Sequence, residues 1–179
     1  MITRRLSRWP PPHLLCVLLC ALVASSLGAQ APVTPSGRYR ILVTNDDGVR
    51  APGILAVAQA LQSLGDVTIA APADNQSGKG HSIVTSDPIF VDTVTLPGNL
   101  PAFSILATPA TCVKVAVRGL MTARPDLVVS GINRGFNLGM VTYVSGTVGA
   151  AREAAQQQFG ESLTLSLQNT AGAQETVLG

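Results

Sequence analysis

The segment from Arg40 to Gly65 constrains the fold more than any other part of this chain. Ile41, Leu42, Val43 and Thr44 form a short apolar-leaning run, Asn45-Asp46-Asp47-Gly48 follows as an acidic turn, and Pro52 opens an amphipathic stretch. An uninterrupted run of this kind suits a strand buried on both faces, here Tyr39–Thr44. Pro in the first turn of a helix is harmless, because the N–H it lacks would be unpaired there anyway. Ile54, Leu55, Ala58, Leu61 and Leu64 recur at helical spacing, which predicts one apolar face on a helix over Ala51–Ser63, with Gly65 as its stop. A second apolar run, Val67–Ala71, completes a strand–helix–strand unit whose two strands must be parallel.

The same alternation continues to the far end. Pro72 to Gly80 is a polar loop without apolar period, Ile83-Val84 and Ile89–Val94 read as short strands, Leu96–Pro101 as a turn, and Phe103–Leu106 as a strand. Thr108-Pro109 precedes a helix over Ala110–Met121, Asp126–Val129 is another continuous apolar strand, Gly146–Phe159 is helical, and Leu163–Leu167 is a last strand. Alternating strands and helices predict an α/β fold, a Rossmann-like, doubly wound and mostly parallel sheet.

The front end reads differently. Arg4, Arg5 and Arg8 precede an uncharged, mostly apolar run from Leu14 to Leu27, and small residues follow at Ser26, Gly28, Ala29 and Ala31. That is the three-part pattern of a secretory signal over residues 1–31, and the run is short for a membrane span, which takes about 20 apolar residues. Residues 32–38 are a polar, low-complexity linker, and 39–179 form the folded domain. Without the signal, nine basic residues face ten acidic ones, so no basic surplus argues for a nucleic-acid polymer or a membrane as partner. Cys112 is then the only cysteine, which rules out an intramolecular disulfide in the exported chain. Export, to the periplasm, is the expected destination.

Four polar clusters follow the carboxyl ends of predicted strands or open a helix, the edge where parallel sheets bind ligands. They are Asn45-Asp46-Asp47, Asn75-Gln76-Ser77-Gly78, Ser130-Gly131-Ile132-Asn133 and Ser145-Gly146-Thr147. Adjacent carboxylates repel, and a divalent cation between them relieves that repulsion. Asp46 and Asp47 therefore read as the anchor of a metal site, against the alternative of a capping Asp beside a solvated one. Ser77 and Asn133 supply a hydroxyl and an amide carbonyl. An all-oxygen set favours one Mg²⁺ or Mn²⁺ ion over Zn²⁺. Such an ion calls for an anionic substrate, and the small residues Ser145, Gly146 and Thr147 at a helix start either leave backbone N–H groups for a phosphate or reflect plain N-capping by Ser145. His81 reads as a structural histidine or a general acid, Cys112 as a buried thiol, and Arg152 with Glu153 as a solvated helix face.

Taken in order, these stretches resemble the SurE (survival protein E) nucleotidase family. Thr44-Asn45-Asp46-Asp47-Gly48-Val49, Ala51-Pro52-Gly53-Ile54, Asn75-Gln76-Ser77-Gly78, Gly80-His81-Ser82-Ile83, Thr108-Pro109-Ala110-Thr111-Cys112-Val113, Pro125 to Asn133 and Tyr143 to Val148 carry the resemblance over roughly residues 39–168. It implies a metal-dependent phosphomonoesterase that hydrolyses nucleoside 5'-monophosphates to nucleoside and phosphate. Asp46, Asp47, Ser77 and Asn133 would hold the ion, and Asn45, Asn75, Gly78, Ser145, Gly146 and Thr147 would meet phosphate or substrate. A carboxylate of the Asp46–Asp47 pair would orient the attacking water. It further implies a homodimer or homotetramer, and segments beyond Leu167 that this chain lacks. The family has Asp where this chain has Thr111, and its members are generally cytoplasmic and unsignalled. A metal- and nucleotide-binding fragment without catalysis is the competing expectation.

Overall fold

A computed structural model describes residues 37–157. The signal, residues 32–36 of the linker and the strand at Leu163–Leu167 lie outside these residues. Five strands form one sheet: β1 (Tyr39–Thr44), β2 (Gly65–Pro72), β3 (Val91–Leu96), β4 (Leu100–Ile105) and β5 (Leu127–Ser130). Their order is β3-β4-β2-β1-β5, with β1 parallel to both β2 and β5, β2 parallel to β4, and β3 antiparallel to β4. The helices are α1 (Pro52–Leu61), α2 (Pro109–Val115), α3 (Val141–Val144) and α4 (Gly146–Gln156), and a π-helical segment at Ala116–Leu120 prolongs α2.

The buried run of β1 feeds two cores, because successive strand side chains point to opposite faces. Ile41 and Val43 join Ile69, Ala71 and Val129 beneath Ile54, Val57 and Ala58 of α1. Leu42 joins Ala70, Ile105 and Val128 beneath Cys112 and Val113 of α2 and Ala150 and Ala154 of α4. The sheet is therefore covered on both faces, as the doubly wound reading requires. Ile54 is fully buried, a burial that contributes on the order of 1.5–3 kcal/mol.

Some expectations give way. Helical spacing predicts Leu64 on the apolar face of the first helix, but α1 ends at Leu61 and Leu64 is 57% exposed. Gly65 opens β2 rather than stopping the helix. Ile83-Val84 is not a strand: the Val84 N–H goes to the Thr111 hydroxyl at 2.9 Å instead of to a neighbouring strand. Leu96 and Leu100 belong to strands, so the predicted turn between them shrinks to the tip of the β3–β4 hairpin. The helix over Ala110–Met121 passes into π geometry at Ala116, a stretch that contains Gly119, a weak helix former. The short helix α3 carried no periodic signal and was not anticipated.

Chain order dictates where a site can form. From β1 the chain moves one way, to β2 and then β4, and later returns to place β5 on the other side of β1. A crevice opens outside the carboxyl ends of the strands at such a reversal, here between β1 and β5.

Candidate functional site

Asn45-Asp46-Asp47-Gly48 leaves β1 at that crevice, and Gly131 to Arg134 leaves β5 beside it. Asn45 is fully buried and both ends of its amide serve the turn: Nδ2 donates to the Gly48 carbonyl at 3.0 Å and Oδ1 accepts from the Gly48 N–H at 3.2 Å. It shapes the turn from beneath.

Asp46 is 3% exposed. The Thr147 hydroxyl donates to its Oδ1 at 2.6 Å, and its backbone carbonyl accepts from the Gln76 N–H at 2.7 Å. The first bond joins β1 to the start of α4, and the second joins it to the loop after β2. Burial pushes the Asp46 carboxyl above the ordinary carboxylate range, the Thr147 bond opposes this, and the neighbouring charge of Asp47 adds to the rise. Gly146 touches the same carboxylate closely: a Cβ at that position would stand 2.7 Å from Asp46 Cβ and 3.0 Å from Oδ2. Only glycine lets α4 begin this near the acid.

Asp47 is half-buried, and its Oδ2 accepts from the Arg134 N–H at 2.8 Å, which ties the turn after β1 to the loop after β5. Asn133 is buried, and its Nδ2 donates to the Gly135 carbonyl at 3.2 Å, which leaves its Oδ1 as an acceptor with no donor among the described residues. Ser77 is exposed on the loop after β2, where its N–H donates to Asn75 Oδ1 at 3.0 Å in an Asx turn. Gly78 follows at φ +80°, exposed. Ser145 caps α4: its hydroxyl accepts from the Val148 N–H at 3.1 Å. The N–H groups of Gly146 and Thr147 are then the first-turn donors with no acceptor inside the helix.

A cleft of about 730 Å³ borders the Asp47 side of this pair. Asp47, Asn75 and Asn133 line it together with Arg50, Asp74 and Arg134, while Asp46 and Ser145 to Thr147 do not. The structure thus brings Asp46 together with Ser145–Thr147, and Asp47 with Asn75 and Asn133.

The residues fit a hard divalent cation. Among the described residues no cluster of three or more His, Cys, Asp or Glu side chains gathers. A cation here would be held by two carboxylates and neutral oxygens, the donor set Mg²⁺ and Mn²⁺ accept. Burial and the neighbouring Asp47 both disfavour the charged form of Asp46, and a cation at this position would oppose that effect.

Three residues outside the pair find structural roles. Glu153, expected on a solvated face, is 3% exposed, and its Oε2 lies 2.9 Å from His81 Nε2, which fastens the loop after β2 to α4. Thr111 is buried; its hydroxyl takes the Val84 N–H and lies 2.7 Å from the hydroxyl of Thr108. Cys112 is fully buried and burial pushes its thiol well up, which makes it inert. Sequence reasoning also passed over Arg50, Asp74 and Arg134. Their signal is positional: Arg134 directly follows Asn133, Asp74 directly precedes Asn75, and Arg50 closes the acidic turn.

The family model described as Survival protein SurE matches residues 41–177. The 5'-nucleotidase SurE of Chlorobaculum tepidum is 42% identical over 134 residues, which make up 75% of this chain and 51% of that protein. That of Syntrophobacter fumaroxidans is 50% identical over 116 residues, 65% of this chain and 46% of its own length. The crystal structure of the SurE protein from Aquifex aeolicus superposes with a TM-score of 0.63 at 38% identity, covering 74% of this chain and 52% of that one. The chain spans about half the length of the curated relatives it matches.

Proposed function

This chain belongs to the SurE family, and on that premise we propose that it forms the metal- and phosphate-binding half of a 5'-nucleotidase, which hydrolyses nucleoside 5'-monophosphates to nucleoside and phosphate. The relatives' printed names support the activity. The observation that carries the reading to this chain is the Asp46 carboxylate, buried against Thr147 and Gly146 and adjacent to Asp47.

Asp46, Asp47, Ser77 and Asn133 would hold one Mg²⁺ or Mn²⁺ ion. When bound, such an ion polarises a phosphoryl oxygen and lowers the pKa of a water. The chain's own groups do the rest. Thr147 fixes the Asp46 carboxylate in one rotamer, and the Arg134 N–H fixes that of Asp47. The Gly146 and Thr147 N–H groups, at the positive end of α4, receive the phosphate oxygens. Asn75, on the cleft beside Asp47, and the exposed Gly78 that follows it on the same loop would meet the substrate from the β2 side. Asp47, the more exposed of the two acids, orients the attacking water. Preorganised donors of this kind, aimed where charge develops, are a leading source of rate enhancement in phosphoryl transfer.

The test is phosphate release from GMP or AMP with Mn²⁺ or Mg²⁺. Release that stops on adding EDTA and returns with excess metal is expected, and release indifferent to EDTA contradicts the metal site. Thr111 favours a second reading, a metal- and nucleotide-binding fragment without turnover, because a hydroxyl bonded to Val84 stands where the family carries a carboxylate. Calorimetry that shows both metal and nucleotide bound, with no phosphate released, would select it.

Two further parts of the proposal rest on other features. The basic, apolar and small-residue pattern of residues 1–31 supports export, which N-terminal sequencing of periplasmic protein tests. Phe136, Leu138, Met140 and Tyr143 are all more than half exposed, which supports a homodimer or homotetramer, to be read by light scattering.

A further inference from the structure

The cleft beside Asp47 holds charged groups that neither metal nor phosphate binding uses. Arg50, Arg134 and Asp74 are exposed and line it together, with Pro52 and Ile132 as apolar wall. Among the described residues no carboxylate pairs with either guanidinium and no cation pairs with Asp74. Two opposite kinds of hydrogen-bonding group therefore face one volume without neutralising each other. That volume lies within the range of small-molecule sites, about 300–1,000 Å³.

With the phosphate at the α4 end of the carboxylate pair, the remainder of a nucleotide extends to the Asp47 end, where the cleft opens. This step rests on the nucleotidase reading. The base must then meet two donors and one acceptor. A guanidinium pairs with two acceptors in one plane, and guanine presents O6 and N7 in that arrangement. A carboxylate accepts only, and guanine offers the N1–H and N2–H₂ donors on its adjoining edge. Adenine keeps N7 but changes one group at each place. Its N6–H₂ is a donor that meets a guanidinium badly, and its unprotonated N1 is an acceptor that meets a carboxylate badly. Hypoxanthine keeps O6, N7 and N1–H but lacks the N2 amine. Pyrimidines are smaller and lack N7.

We infer that Arg50, Arg134 and Asp74 make this cleft selective for 6-oxopurine nucleotides, in the order GMP, IMP, AMP. A good bidentate pair discriminates against the wrong base by about tenfold or more.

The experiment is calorimetric titration of the full chain, loaded with Mn²⁺, with GMP, IMP and AMP. GMP is expected to bind at least about tenfold more tightly than AMP, with IMP between them. Asp74→Asn should bring the GMP-to-AMP ratio close to one, and the Arg50→Met, Arg134→Met pair should do the same. The ratio is the readout, because a folding defect lowers both affinities alike. Equal affinities in the unaltered chain, no binding of either nucleotide, or a ratio untouched by the substitutions overturns the inference. Phosphate release measured on the same samples separates the two claims. Selective binding without turnover retires the nucleotidase and leaves the selectivity standing, and turnover without selectivity does the reverse.

Discussion

The two sides of the Asp46–Asp47 pair are built in opposite ways. On the Asp46 side the acid is tied into the fold: Thr147 donates to its carboxylate, Gln76 to its backbone carbonyl, and Ser145 caps the first turn of α4. Helix and acid approach so closely that a single Cβ would not fit. On the Asp47 side an open cleft carries two guanidinium groups and a carboxylate with no partners among the described residues. On the proposed function the difference separates two tasks. A group that meets the invariant part of a substrate, its phosphate and metal, gains from rigidity, since preorganisation avoids reorganisation during reaction. A group that reads the variable part must stay unpaired until the ligand arrives.

Substitutions on each side should accordingly fail in different ways. Gly146→Ala forces a methyl against Asp46 and must displace the acid or the helix start. Turnover should fall on the order of a hundredfold, the usual consequence of misplacing a reacting group by about 1 Å, and chiefly in kcat. Arg50→Met, across the pair, removes one unpaired cation from the cleft, and steady-state kinetics should show about a tenfold loss in GMP kcat/KM carried mainly by KM. A kcat loss from Arg50→Met and a KM loss from Gly146→Ala would reverse the assignment of the two sides.

The smallest effect belongs to a surface pair remote from both. Arg40 donates to Asp126 at 2.6 Å and 3.0 Å, and these bonds hold the Asp126 carboxyl down to about 2 from an ordinary 3.8. A lowered acid stabilises the fold above its unfolded pKa and stops doing so as pH falls through the folded value, so this contribution fades between about pH 4 and pH 2. Exposure discounts it. Asp126→Asn should cost less than about 1 kcal/mol at pH 7, flatten the acid limb of a urea-melt series, and leave turnover on both sides of the pair unchanged.

The built side was legible in the sequence and the open side was not, for a physical reason. β1 was read with its observed bounds because a strand buried on both faces must be continuously apolar, and Ile41 to Thr44 all are buried. The acidic turn and the Ser145 cap stand at fixed offsets from such elements, so their positions follow from local pattern. Asn45, although placed at the site, turns inward because a tight turn after a buried strand needs its backbone groups paired. Glu153 looked solvated because helical spacing does not reveal a partner 72 residues away in His81. Ile83 and Val84 looked like strand because two apolar β-branched residues carry that propensity, yet Thr111 captures the Val84 N–H first. Arg50, Asp74 and Arg134 carry no periodic pattern, only adjacency to the site clusters. Their meaning lies only in the topology that brings the ends of β1, β2 and β5 to one crevice.

On the proposed function, Asp46 is held buried beside Asp47 for a cation, at a cost to the fold. Burial and Asp47 raise its pKa, so its ionised form at pH 7 opposes folding, and stability of the metal-free chain declines as pH rises from 3.8 through the raised folded value. Asp46→Asn keeps an oxygen for Thr147 while removing that charge. Thermal melts of the unaltered chain and the variant at pH 7, each with and without Mn²⁺, test this directly. The variant should melt higher than the unaltered chain in EDTA, and only the unaltered chain should gain stability from Mn²⁺. A variant that melts lower in EDTA and is still stabilised by Mn²⁺ to the same degree would contradict the account.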